Sequence, residues 1–99
     1  MTEVYTYKYI SQLLSKVSKQ NKLNWENFLK VFVYVETKLK AMRLIKKRTI
    51  LYEFDKALVN DVIRRLEIII SNNLVEDIDT KKQIGHIVRN WKNNMVSLC

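Results

Sequence analysis

An all-α fold of about four amphipathic helices, in a compact bundle or orthogonal arrangement, is what this sequence predicts, and three observations predict it. The 99 residues contain no proline and one glycine, Gly85, where average usage would supply about 7% glycine and about 5% proline. Tight hairpins and all-β folds depend on glycine-rich turns, so the shortage favours helices. Hydrophobic residues at 47% and charged residues at 28% are globular values that exclude disorder. Finally, apolar residues recur at steps of three and four in separate segments along the chain. Residues 1–99 are too few for two independent cores and make a single helical domain.

In the first segment Ile10, Leu13, Leu14 and Val17 form a stripe that predicts a helix over about residues 4–19. The tyrosines at 5, 7 and 9 alternate, which also fits a short N-terminal strand over 4–9. Asn24 is a good N-cap for a second helix, and Glu26 in its first turn suits the helix dipole. Trp25, Phe28, Leu29, Phe32, Val35, Leu39 and Met42 give this helix a broad aromatic face. A strand at "KVFVYVE" (30–36) competes, because the stretch is β-branched and aromatic. No turn chemistry follows it before Tyr52, so a hairpin would have nothing to close it, and helix is preferred. Thr49 can cap a third helix with Leu51, Phe54, Leu58, Val62, Leu66 and Ile69 on one side, ended by "SNN" at 71–73. Past the acidic connector "LVEDIDT", Thr80 and Gln83 make a capping box for a fourth helix. Ile84, Ile87, Val88, Trp91 and Met95 share its face. At ~1.5 Å per residue the second and third helices are as long as a small domain is wide. Helices of that length tend to finish burying their faces against another copy, so a homodimer is expected.

The stretch "KLKAMRLIKKRTILY" (38–52) carries six cations, Lys38, Lys40, Arg43, Lys46, Lys47 and Arg48, and no carboxylate. A helix C-terminus favours positive charge, but the effect fades within a turn and does not account for six. Lys40, Arg43 and Lys47 line one ridge that could follow a phosphate backbone. A second basic group, Lys81 and Lys82, stands in a first turn where the dipole disfavours cations and where free N–H groups welcome anions. Arg89 and Asn93 continue that face past Gly85, which leaves it open for close approach. Lys40, Arg43, Lys46, Lys47, Arg48, Lys81, Lys82 and Arg89 are therefore the candidate nucleic-acid-binding residues. The plainer reading is a solvated helix end at 38–52 and local pairing of Asp77 and Asp79 with Lys81 and Lys82. Arg64 and Arg65 are read as local partners of Asp61 and Glu67.

Among the aromatics, Tyr5, Tyr7 and Tyr9 are candidates for a dimer contact or a stacking surface. Tyr34, off the Trp25/Phe28/Phe32 stripe, is expected to be exposed at an interface. His86 is the only histidine, and no Cys, His or carboxylate cluster at ligand spacing surrounds it, so no metal site is expected. No nucleophile–base pair or cofactor loop appears, so neither an enzyme, a cofactor nor a small-molecule substrate is expected. Cys99, the single cysteine, cannot form an internal disulfide and points to an intracellular home. No apolar run approaches the ~18 residues of a membrane span. "MTEVYTYKYI" lacks the basic opening and apolar stretch of a secretory signal.

In "VYTYKYISQLL", "LKVFVYVETKLKAMRLIKK" and "LYEFDKALVNDVIRRLEIIISNN" the chain has a Lys/Ile/Tyr/Asn-rich, proline-free texture. In this it resembles the small uncharacterised proteins encoded by filamentous viruses of hot-acid archaea. The resemblance runs over the whole chain and involves no functional motif. It implies a heat- and acid-resistant protein made in the cytoplasm of an archaeal host, and it implies no catalytic residue.

The functional expectation is a structural or protein-interaction module without enzymatic activity, an acidic protein being the partner its charge suits. The alternative is a dimer that binds nucleic acid without sequence preference, which the net charge of +8 makes natural. The placement of charge separates the two. Cations merged on one face favour nucleic acid, and cations paired with Glu36, Glu53, Asp77 and Asp79 favour a protein partner.

Overall fold

The computed structural model describes residues 5–44 and 50–98. Four helices follow one another: α1 (Tyr7–Ser15), α2 (Trp25–Leu44), α3 (Ile50–Ser71) and α4 (Ile78–Ser97). No strand occurs among the described residues. Thr6 caps α1, its hydroxyl accepting the Tyr9 N–H at 3.1 Å, so Tyr7 and Tyr9 belong to a helical first turn. Residues 30–36 likewise lie within α2. Both strand alternatives give way to helix. α1 is nonetheless shorter than the expected span of 4–19. It closes at Lys16, whose carbonyl accepts the Asn21 side-chain amide at 2.9 Å.

Asn24 caps α2 as its side-chain chemistry predicts, accepting the Asn27 N–H at 2.8 Å. The buried face of α2 is Phe28, Val31, Tyr34, Val35, Leu39 and Met42, while Trp25 and Leu29 lie at the surface. Tyr34, expected at an exposed interface, is instead only 2% exposed. The reason is topological: α2 packs against α1, α3 and α4 together, so its buried arc is wider than one aromatic stripe.

The Tyr34 hydroxyl is buried without a hydrogen-bond partner, and burial pushes its pKa up to about 12. A buried hydroxyl left unpaired costs about 1–3 kcal/mol. Tyr34→Phe is therefore expected to unfold at equal or higher denaturant concentration, with a gain of about 1 kcal/mol. A loss of that size would mean the hydroxyl is satisfied by an ordered water.

α3 ends where "SNN" predicts. Asn73 takes a left-handed backbone with φ of 58°, a conformation that asparagine tolerates better than most residues. The Leu74 N–H donates to the Ile69 carbonyl and the Asn73 N–H to that of Ile70, the paired bonds of a Schellman stop. The start of α4 corrects the expected capping box. The N-cap is Asp77, whose carboxylate accepts the Thr80 N–H at 2.8 Å and the Thr80 hydroxyl at 3.0 Å. Thr80 is thereby a buried first-turn residue. Asp77 takes the position because an ionised carboxylate satisfies two donors there and complements the dipole.

The helices run up, down, up, down. At one pole the links before α2 and before α4 are clamped together by two backbone bonds of 2.8 Å. The Leu23 N–H donates to the Leu74 carbonyl, and the Glu76 N–H donates to the Leu23 carbonyl. At the other pole lie the end of α2, the start of α3 and the end of α4, where the Tyr52 hydroxyl donates to the Leu98 carbonyl at 3.2 Å. Trp91 of α4 sits in the core, its ring 5.9 Å from both Phe28 and Phe32. Its indole N–H donates to Glu36 at 2.9 Å.

α1 has nine residues against 22 for α3, so at ~1.5 Å per residue it covers less than half of that helix. Tyr7 and Ser11 of α1 meet α3 at Asp61 and Arg65.

Candidate interaction surface

The start of α3 brings a correction. The stripe Leu51, Phe54, Leu58, Val62, Leu66, Ile69 was expected to face the core along its whole length. Val62, Leu66 and Ile69 are buried, but Leu51 is 69% and Phe54 60% exposed. At its start α3 buries Tyr52 and Val59 instead, so the core face is turned away from Leu51 and Phe54, which reach solvent. Leu44, the last residue of α2, and Ile50, the first of α3, are exposed as well, Ile50 at 92%. Together they make an apolar pole. Scattered exposed leucines need no explanation, but a contiguous apolar patch marks an interaction surface.

Lys40 and Arg43 stand exposed on the last turns of α2, beside this pole, and Glu53 is exposed on the first turn of α3. Lys46, Lys47 and Arg48, with Thr49, lie outside the described residues. Lys81 and Lys82 occupy the opposite end, at the start of α4, where the Lys81 ammonium donates to Asn73 at 3.3 Å. Arg89 lies two turns further along α4. Lys40 and Arg43 thus lie towards one end of the molecule, and Lys81 and Lys82 at the other. Of the cations in 38–52, Lys38 pairs with Asp55 at 3.6 Å. Glu36 receives Trp91 and Asp77 receives Thr80, and Lys40, Arg43, Lys82 and Arg89 form no ion pair among the described residues.

The ion pairs that do form are structural. Arg64 and Arg65 flank Asp61 at 3.0 and 3.2 Å, as their spacing predicts. Glu67, the other expected partner, instead reaches Lys92 of α4 at 2.8 Å. Beside that pair runs an open groove of about 450 Å³ between α3 and α4, floored by Ile70 and Val88. A side chain at Gly85 would meet nothing within 4 Å, so the groove does not depend on glycine.

The tyrosine set divides. The Tyr7 hydroxyl donates to Asp61 at 2.6 Å and ties α1 to α3. Tyr5 and Tyr9 stack with ring centres 5.3 Å apart, and Tyr9 remains exposed. The bond from Tyr7 is the main cause that holds the Asp61 carboxyl below the usual aspartate range, with Arg65 and Arg64 adding to it. The same bond raises the Tyr7 phenol above the usual tyrosine value. The signs follow from linkage. Asp61 contributes stability that is present above the unfolded aspartate value and lost as pH falls through its lowered folded value. Tyr7 contributes stability that is present below the unfolded tyrosine value and lost as pH rises through its raised folded value. Tyr7→Phe is therefore expected to cost about 1 kcal/mol at neutral pH. That is less than charge-assisted bonds usually give, because water screens the pair. The cost should shrink at both pH extremes in a series of urea titrations. A cost that does not vary with pH would assign the effect to packing alone.

His86 is exposed on α4, and no three His, Cys, Asp or Glu side chains come together among the described residues. No helix among them is long and apolar enough to cross a membrane. The described residues form an all-α four-helix protein with exposed apolar side chains where α2 ends and α3 begins. Comparison with protein-family models, with curated proteins and with solved structures finds no match.

Proposed function

We propose that the chain is a structural protein-interaction module, without enzymatic activity of its own, that works as a homodimer joined at the apolar pole of α2 and α3. The observation that carries this reading is the exposure of Phe54 and Leu51 at the start of α3. A second copy placed on a two-fold axis there would cover these side chains. Arg43 and Glu53, both exposed at this pole, are opposite in sign and available to pair across such an axis. Burying Leu44, Ile50, Leu51 and Phe54 from each protomer contributes at most about 1.5–3 kcal/mol per side chain. Lost translational and rotational freedom costs about 4–15 kcal/mol. The balance is a dimer of moderate, roughly micromolar affinity.

Charge opposes association, because each protomer carries +8 and Lys40 and Arg43 flank the pole. Salt that screens this repulsion should tighten the dimer. Sedimentation velocity over a range of protein and salt concentrations tests the reading. Monomer at every condition overturns the homodimer and leaves the pole to a different, acidic protein.

Non-specific nucleic-acid binding is the second reading, favoured by the unpaired state of Lys40, Arg43, Lys82 and Arg89. Its salt dependence has the opposite sign, since phosphate contacts weaken as salt rises. A duplex-DNA titration over the same salt series separates the two. The resemblance to archaeal filamentous-virus proteins would put the module inside a host cell.

A further inference from the structure

We infer that the cleft between α1 and α2 is a site for one nucleotide unit, in which Tyr9 offers an aromatic platform and Lys16 and Lys30 bind the phosphate. The inference is independent of the homodimer reading, because the apolar pole lies at the other end of α2. Two helices and the link between them converge on this cleft of about 230 Å³. That is below the roughly 300–1,000 Å³ of a drug-sized ligand pocket, so the cleft itself holds no more than one small unit of a ligand.

Each part of such a ligand meets suitable chemistry. Tyr9 is held by its stack on Tyr5, with the rings 18° from parallel, and is still 40% exposed. Stacking a base on an exposed aromatic ring contributes about 1–3 kcal/mol. Lys30 lies against the Tyr9 hydroxyl, and this contact, more than the field of Glu26, raises its pKa above the usual lysine value. Neither Lys30 nor Lys16 forms an ion pair among the described residues. The Asn21 side chain is fixed by its bond to the Lys16 carbonyl. Its remaining oxygen and the amides of Gln12 and Asn27 line the same cleft, offering the donors and acceptors that a base edge or ribose requires. Leu13 supplies an apolar wall. Around the cleft the chain carries Lys8, Lys16, Lys19, Lys22 and Lys30 against one carboxylate, Glu26, so the balance of charge at its approach is positive.

The shared chemistry is a phosphate beside a heteroaromatic ring, supplied either by a free mononucleotide or by one residue of a single-stranded nucleic acid. The test is an NMR titration of the full chain with AMP, a short single-stranded oligonucleotide and inorganic phosphate. It is repeated on Lys16→Ala/Lys30→Ala and on Tyr9→Leu. Shifts centred on Tyr9, Gln12, Lys16, Asn21, Asn27 and Lys30 are expected, with affinity reduced about tenfold or more in either variant. Saturation by AMP identifies a free nucleotide as sufficient, and saturation by the oligonucleotide alone identifies the strand; both support the site. Inorganic phosphate binding as tightly as AMP overturns it, as do shifts that fall elsewhere or survive in both variants. Sedimentation of the same variants should be unchanged, so loss of the cleft and loss of the dimer are read separately.

Discussion

Trp91→Ala is expected to remove about 3–5 kcal/mol of stability, the largest loss from any single substitution in this chain. Trp91 is fully buried where α4 meets α2, its ring equidistant from Phe28 and Phe32. Truncation empties the centre of an aromatic cluster that long helices on either side cannot collapse to fill. It also deprives Glu36 of the indole N–H that it accepts at 2.9 Å, and a partly buried carboxylate left without its donor adds to the cost. A domain of this size has about 5–15 kcal/mol in total, so the variant should lie close to unfolding. Urea denaturation followed by far-UV circular dichroism measures the effect, with an unchanged m-value expected. Trp91→Phe and Glu36→Gln apportion it. The first keeps a ring and loses the hydrogen bond. The second keeps an acceptor and should cost little. A loss below about 1 kcal/mol in Trp91→Ala would mean that the helices pack through some other centre.

How much of this could be read beforehand differs with the kind of interaction. The helices themselves were legible, because period and capping are local. Asn24 caps the second helix and the asparagines end the third as their chemistry requires. Where two local signals competed, the choice depended on the rest of the fold. Asp77 and Thr80 both suit an N-cap, and the clamp of Leu23 on Leu74 and Glu76 delivers the chain to α4 in time for Asp77 to take that place. That clamp joins backbones some fifty residues apart, and nothing in either segment announces it. Tyr34 looked exposed because one stripe was assumed for a helix that in fact has three neighbours. Leu51 and Phe54 fit the same helical period as Val62 and Leu66, but at its start α3 turns Tyr52 and Val59 to the core instead. The cations were identified by type, but their division between two poles is a property of the topology. Tyr9 was recognisable as a stacking candidate, whereas Lys16 and Lys30 become its neighbours only when α1 folds back on α2.

In Leu51→Asp/Phe54→Asp the dimer is expected to be lost, with affinity lowered at least about a hundredfold, while the fold is kept. Both residues are mostly in solvent on the single chain, so charging them removes little native packing, and exposed substitutions usually change stability by about 0.5 kcal/mol or less. Their position helps: both lie near the start of α3, where aspartate is favoured by the helix dipole. In a dimer the same change buries four carboxylates about the two-fold axis, each of which must be desolvated without a partner. Sedimentation should therefore report monomer at concentrations where the wild type is dimeric, with the far-UV spectrum and the thermal midpoint almost unmoved. General electrostatics predicts the reverse. Two aspartates lower the protomer charge from +8 to +6, which weakens the repulsion between copies and would promote any association governed by net charge. A variant that dimerises as well as the wild type, or better, places the contact elsewhere on the surface. A variant that unfolds makes Leu51 and Phe54 part of the core of the single chain. Loss of the dimer with the fold intact is the outcome that only an interface at this pole produces.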